Sequence, residues 1–218
     1  IGYKKILGST FASPDYIYLN GVGKTLYSGK QIYIDTEEEG GQIKLVWDGW
    51  TFVNTIKMFY GCNNITEIDL SNFDTSYVYN MTYMFNGCNL LTSLNIENLN
   101  TKNVKGMNFV FSNCTNLETL DISNFNTEKV VTFEKMFYNC QSLKSIDLSN
   151  FKTSSAKILW GMFMDCIALT SIDLSGFDTS HVYDFEAIFY KCSNLEYINL
   201  KNFNDSMYIF SFGAFYYI

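Results

Sequence analysis

From Met58 onward, apolar residues return to the same places every 26 residues. The stretch MFYNCQSLKSIDLSNFKTSSAKILWG from Met136 reappears as MFYGCNNITEIDLSNFDTSYVYNMTY from Met58 and as MFMDCIALTSIDLSGFDTSHVYDFEA from Met162. Six copies start at Met58, Met84, Val110, Met136, Met162 and Ile188 without insertion or deletion, and a seventh begins at Ala214 and stops after AFYYI. A fixed period of this size predicts a solenoid, in which each unit buries its apolar side only by stacking on its neighbours.

Within one unit, counted from its Met, positions 8, 11, 13 and 16 are apolar: Leu143, Ile146, Leu148 and Phe151. Alternation of 11 and 13 around polar Asp147 is the period-two signature of a short strand with one buried face. The stretch SNFKT then reads as a turn, and Thr153 and Ser154 as helix caps. Positions 21, 24, 27 and 28 (Val78, Met81, Met84, Phe85) fall on one helical stripe. Position 4 carries Gly61, Gly87, Asn113, Asn139, Asp165 and Lys191, mostly types that tolerate the left-handed conformation ending a helix. Each unit thus predicts strand, turn, short helix and return. Stacked, the strands form a parallel sheet on the concave face and the short helices cover the convex face.

That plan resembles the leucine-rich repeat. Leu143, Ile146 and Leu148 meet its first leucine positions, whereas its Asn slot holds Phe73, Leu99, Phe125, Phe151, Phe177 and Phe203, with Asn one place earlier. The wording SNFDTS followed by V-x-x-M-x-x-MF-x-x-C resembles the 26-residue repeat of BspA-like surface proteins, over about residues 52 to 215. The resemblance implies a cell-surface or secreted module for adhesion or partner binding. It names no ligand, because one fold serves many uses.

The first 51 residues do not repeat. Short apolar runs (YKKIL from Tyr3, YIYL from Tyr16, TLY from Thr25, QIYIDT from Gln31, QIKLVW from Gln42) alternate with turn signals such as Asn20-Gly21. They predict a β-rich N-terminal cap over 1–51, followed by the solenoid over 52–218. IKLVW would lie beside the repeat strands, with Trp47, Trp50 and Phe52 covering the core's end. An independent β domain is the alternative, disfavoured by the lack of a flexible linker. At the other end the unit drifts and finishes on Phe215, Tyr216, Tyr217 and Ile218. This reads either as a divergent cap or as an open edge that invites self-association, with truncation slightly preferred. The start at Ile1, without a signal-peptide pattern, predicts a processed fragment.

Composition narrows the partners. Hydrophobic residues at 47% and charged ones at 17% describe a folded chain. Net charge is −7, Arg is absent, and the 15 lysines are scattered along the sequence with no cluster beyond Lys4 and Lys5. Nucleic acid, which wants a basic patch and bidentate Arg, is disfavoured, as is an anionic membrane surface. No apolar run approaches the ~20 residues that span a bilayer, so direct membrane insertion of this segment is not expected. The six cysteines all stand at position 5 of the unit, near the predicted helix end, where neighbouring layers would lie ~8–10 Å apart. A column of buried free thiols is therefore preferred over disulfides. With no C-x-x-C and His181 the single histidine, neither a metal site nor a cofactor is expected.

No catalytic residues stand out, because one His and no nucleophile motif leave only carboxylates and hydroxyls, and these recur as columns. Position 12 is Asp69, Asn95, Asp121, Asp147, Asp173 and Asn199, predicted to point outward from the sheet, with Glu67 and Tyr197 beside it at position 10. This predicts an acidic, hydroxyl-rich concave face for a basic or polar protein or glycan. The plainer alternative is a solvated face, although stacked like charges ~5 Å apart repel and so invite a reason. A second candidate surface is tyrosine on the helical side: Tyr60, Tyr138 and Tyr190 with Tyr77, Tyr79 and Tyr83. The recurring Thr and Asn columns read as structural, satisfying backbone groups and turns. The expectation is a non-enzymatic binding module. A spacer or end-to-end scaffold is the runner-up.

Overall fold

In this computed structural model the described residues are 3–5, 7, 14–19, 22–24, 33–35, 43–46 and 50–203. N-terminal to the repeats lie β1 (Tyr3–Lys5), β2 (Tyr16–Leu19), β3 (Val22–Lys24), β4 (Tyr33–Asp35) and β5 (Ile43–Val46). β2 pairs antiparallel with β3 through Leu19 and Val22; Asn20 and Gly21, the expected turn between them, lie outside the described residues. β2 also pairs with β5, and β1 with β4. β5 therefore takes β2 as its partner instead of the first repeat strand, which corrects the expected placement of IKLVW. TLY and Trp47 lie outside the described residues. Leu7 is buried in the main core, and Leu45 and Phe52 pack against it. Phe52 lies 5.0 Å from the Phe73 ring, while Trp50 stacks on Phe52 at 6.1 Å and stays half-exposed.

In the repeats, β6 (Glu67–Asp69) pairs parallel with β7 (Ser93–Asn95), and β8 (Ser171–Asp173) with β9 (Tyr197–Asn199), each in a register of 26 residues. Ile68 and Ile172 point inward and their neighbours outward, the alternation expected from sequence. A second parallel ladder links Asn54, Asn80, Gly106, Thr132, Ile158 and Asp184.

The predicted helices are absent: among the described residues there is none. The apolar stripe is nevertheless buried, with Val78, Met81, Met84 and Phe85 each at most 1% exposed. The segment is a ribbon of tight turns. In the first coil the N–H groups of Met58, Tyr60 and Cys62 donate to the carbonyls three residues back, while those of Thr55, Lys57, Phe59 and Gly61 donate to the next coil at Asn80, Thr82, Met84 and Asn86. Two left-handed residues per unit enforce this alternation. One is the predicted position 4 (Gly61, Gly87, Asn113, Asn139, Asp165, Lys191, φ between 59° and 78°). The other is position 26: Lys57, Tyr83, Phe109, Lys135, Gly161 and Ala187. A left-handed residue cannot continue a right-handed helix, and so short a helix has little stability of its own. Hydrogen bonds to the next coil satisfy the backbone instead.

The core is a set of columns. Phe59, Phe85, Phe111, Phe137, Phe163 and Phe189 stack ring on ring at 5.4–5.8 Å. Beside them, the thiols of Cys88, Cys114, Cys140, Cys166 and Cys192 donate to the carbonyls of Phe59, Phe85, Phe111, Phe137 and Phe163 at 3.0–3.3 Å. All six cysteines are buried thiols that are not joined in disulfides. Polar columns tie the coils together as well. Thr75 Oγ donates to the Asn100 carbonyl and accepts from the Asn100 N–H, and Thr101 repeats this with Asn126. Asn150 Nδ2 reaches back to the carbonyls of Ile122, Ser123 and Phe125. Among the described residues no buried side-chain N or O lacks a partner, as the cost of an unpaired buried polar group requires.

Candidate ligand-binding face

The sheet positions the predicted site. Because Ile68 and Ile172 face the core, residues on either side face solvent: Glu67 and Asp69 on β6, Asp173 on β8 and Tyr197 on β9 are exposed, with Asn95 and Asn199 half-exposed. Register places Asp69 beside Asn95, and Asp173 beside Asn199, whose Nδ2 donates to Asp173 Oδ2 at 3.1 Å. Asp121 and Asp147 occupy the two intervening coils and are exposed too. The structure therefore brings Glu67, Asp69, Asn95, Asp121, Asp147, Asp173, Tyr197 and Asn199 onto one face.

Each carboxylate at position 12 is also a turn element. Oδ1 of Asp69, Asp121, Asp147 and Asp173 accepts the backbone N–H two residues on, at 2.8–2.9 Å. Asn95 and Asn199 accept the equivalent bond at 3.2–3.3 Å, so an amide oxygen does the same work. For Asp69, Asp121 and Asp147 the serine's N–H, then its hydroxyl, holds the carboxyl below its ordinary range. For Asp173 the Ser175 hydroxyl contributes first and its N–H second. Repulsion from Asp121 acts on Asp147 only as a smaller opposing influence. The stacked charges that the sequence presents as a cost are thus stabilised locally by the turn.

On the turn ribbon, Tyr60 is exposed and Tyr138 and Tyr190 half-buried. They join a strip in which the sequence reading named Tyr83 but missed Lys57, Phe109, Lys135 and Trp160. The left-handed column at position 26 stacks Tyr83 on Phe109 at 4.6 Å, and Lys135 Nζ sits 4.3 Å from the Trp160 ring and 4.7 Å from Tyr138. Lys57 lies over Tyr60 and Tyr83. The signal was present as Lys57, Tyr83, Phe109 and Lys135, each immediately before the first residue of a unit (Met58, Met84, Val110, Met136). Tyr77 and Tyr79 are elsewhere, on the side edge between the sheet and the ribbon. Lys102, Lys105, Lys129 and Lys157 join them there, all exposed. Lysines scattered in sequence are thus gathered in space by the period. Among the described residues there is no group of His, Cys, Asp and Glu able to hold a metal, and no helix long and apolar enough to cross a membrane.

Parallel strands at a constant register, a continuous Phe column and an outward polar face define a repeat solenoid of the leucine-rich-repeat type. Its fold is similar to that of the leucine-rich-repeat protein of T. pallidum (TpLRR) at a TM-score of 0.51, with 21% sequence identity over 75% of this chain and 77% of that one. The chain belongs to the family described as "Mycoplasma protein of unknown function, DUF285", whose pattern matches residues 53–156 and 121–215. No curated protein matches it.

Proposed function

We propose that this chain is a non-enzymatic binding module that recognises a protein or glycan partner through its sheet face, displayed on a cell surface or secreted. The observation that carries the reading is the pinned carboxylate column. Asp69, Asp121, Asp147 and Asp173 are exposed and held ionised by the bond to Oδ1. A group already fixed loses less rotamer freedom on binding, so the column suits a partner carrying basic or donor groups at the coil spacing. The carboxylates are all shifted in the same direction. An acid–base pair would need values pushed apart, which favours binding over catalysis. The leucine-rich-repeat fold, commonly an interaction scaffold, agrees with this, and the surface location rests on the resemblance of the repeat wording to BspA-like proteins.

Natural Asn95 and Asn199 dictate the experiment. Asp121→Asn with Asp147→Asn keeps the turn bond and removes the charge. On an array of basic peptides and of neutral and amino-sugar glycans, the wild type should retain ligands that this variant loses at least several-fold. Identical profiles for the two would refute the sheet-face reading. The alternative of a spacer is favoured by the uniform ladders between coils, and it predicts no ligand on either protein.

A further inference from the structure

The side edge formed by positions 19 to 22 of each unit is unlike the rest of this acidic surface. From the N-terminal side it presents Tyr77 and Tyr79, then Lys102 and Lys105, Lys129, Lys157, and finally His181 and Tyr183. Tyr77 and Tyr183 are 64% and 62% exposed, among the highest of the large hydrophobic residues. Glu128 is the one carboxylate among these positions in the described coils. The ion pair found among the described residues, Lys144 with Glu118, lies on another column. Lys105 and Lys157 are exposed and have no carboxylate partner there.

The spacing of this edge is set by hydrogen bonds. The N–H of each position-22 residue donates to its equivalent one coil earlier: Tyr79 to Val53, Lys105 to Tyr79, Val131 to Lys105, Lys157 to Val131 and Tyr183 to Lys157, at 2.8–3.0 Å. Position 12 is likewise paired coil to coil, as Asp69 with Asn95 and Asp173 with Asn199. Both columns therefore advance by one strand spacing, ~4.8 Å, per coil. Lys105 and Lys157 are two coils apart, and so are Asp121 and Asp173. Charges of opposite sign thus stand at the same interval, ~10 Å, on two different faces of one chain.

We propose that the tyrosine–lysine edge docks onto the acidic sheet face of a second copy of this chain, with Lys105 and Lys157 opposite two carboxylates of the position-12 column and the exposed tyrosines flanking them. The shared period is what selects a second copy, because two registers of the position-12 column set both lysines opposite carboxylates, Asp69 with Asp121 or Asp121 with Asp173. The contact uses different surfaces on the two copies, so it is heterologous and extends side by side unless it closes into a ring. It rests on the sheet face being a recognition surface and names the partner of that face.

The test is sedimentation velocity of the full chain over a dilution series, at low salt and at ~1 M salt, where the screening length falls to ~3 Å. Concentration-dependent association at low salt is expected, lost at high salt and weakened at least tenfold by Lys105→Glu with Lys157→Glu, both exposed substitutions whose folding is checked by circular dichroism. In a mixture of isotope-labelled and unlabelled chains, a zero-length carbodiimide should join Lys105 or Lys157 of one copy to Asp69, Asp121 or Asp173 of another. A monomer at every concentration, association unchanged by the double substitution, or cross-links only between other residues would overturn the proposal. A monomer whose edge instead binds polyglutamate would overturn it and assign the edge to an acidic partner. Titrating Lys105→Glu/Lys157→Glu with oligolysine separates the two readings: binding that persists there leaves the sheet-face function standing when self-docking fails.

Discussion

Thr127 and Lys152, one coil apart, exchange two hydrogen bonds through a single hydroxyl: Thr127 Oγ accepts the Lys152 N–H at 2.7 Å and donates to the Lys152 carbonyl at 2.9 Å. Thr127 is fully buried. Valine has the same shape without the hydroxyl, so Thr127→Val leaves both backbone groups of Lys152 unpartnered. A loss of about 1–3 kcal/mol is expected in urea unfolding, and Thr127→Ser should recover most of it. Equal stability of the valine variant would show that the threonine column does not tie the coils together.

The buried thiols should be chemically silent. Burial pushes Cys140 and Cys192 up to about 12, and Cys114 and Cys166 well above their ordinary value. Because the thiolate is the reactive form, a disulfide reagent at about pH 8 should titrate essentially no thiol in the folded chain and six in denaturant. Rapid modification of the native protein would contradict a continuous thiol column.

Position 4 of each unit is left-handed whatever residue occupies it. Lys191 has φ 61°, where Gly61 and Gly87 occupy the same column without a Cβ. A non-glycine residue there costs roughly 1–2 kcal/mol, offset in a Lys191→Gly variant by lost contact with the Tyr190 ring, 5.2 Å from Nζ, and by unfolded-state entropy. A small net stabilisation, up to about 1 kcal/mol, is expected from thermal unfolding. A clear loss would mean that the lysine contact outweighs backbone strain.

These columns also explain what the sequence made legible. Register made the repeat, the inward Ile68 and Ile172, the outward Asp column and the left-handed position 4 readable, since each follows from residue type at a fixed interval. The helix was not readable. Val78, Met81, Met84 and Phe85 have helical spacing, but burial on one side is equally served by a turn ribbon bonded to the next coil. Lys57, Tyr83 and Phe109 carry no conformational signature of a left-handed residue, so the second break in each unit stayed hidden. The lysine edge was hidden for another reason. Lys105 and Lys157 lie far apart in sequence and meet only when the period is folded onto itself.

The pH dependence has two opposing parts. Asp69, Asp121, Asp147 and Asp173 are held below 3.8 in the folded chain, so their contribution is complete above the unfolded value of about 3.9 and is lost as pH falls through the folded values. Glu134 behaves in the reverse sense. Burial first, then Asp184, raises its carboxyl above 4.5 against the pull of Lys135, so its charge costs stability near neutral pH and the cost disappears once it is protonated. Glu134→Gln should therefore raise the melting temperature at about pH 7 and change it little at about pH 4. The opposite order would show that Lys135 dominates.

The central question is which face recognises a partner, and the most direct measurement is an amide-resolved NMR titration of the labelled Lys105→Glu/Lys157→Glu chain with oligolysine. This background suppresses self-docking while leaving the sheet face intact. Shifts concentrated on Glu67, Asp69, Asn95, Asp121, Asp147, Asp173, Tyr197 and Asn199, and weakened by adding Asp121→Asn and Asp147→Asn, are the expected result. Shifts confined to the ribbon around Lys57, Tyr83, Phe109 and Lys135, or none on the sheet at saturating probe, would contradict it.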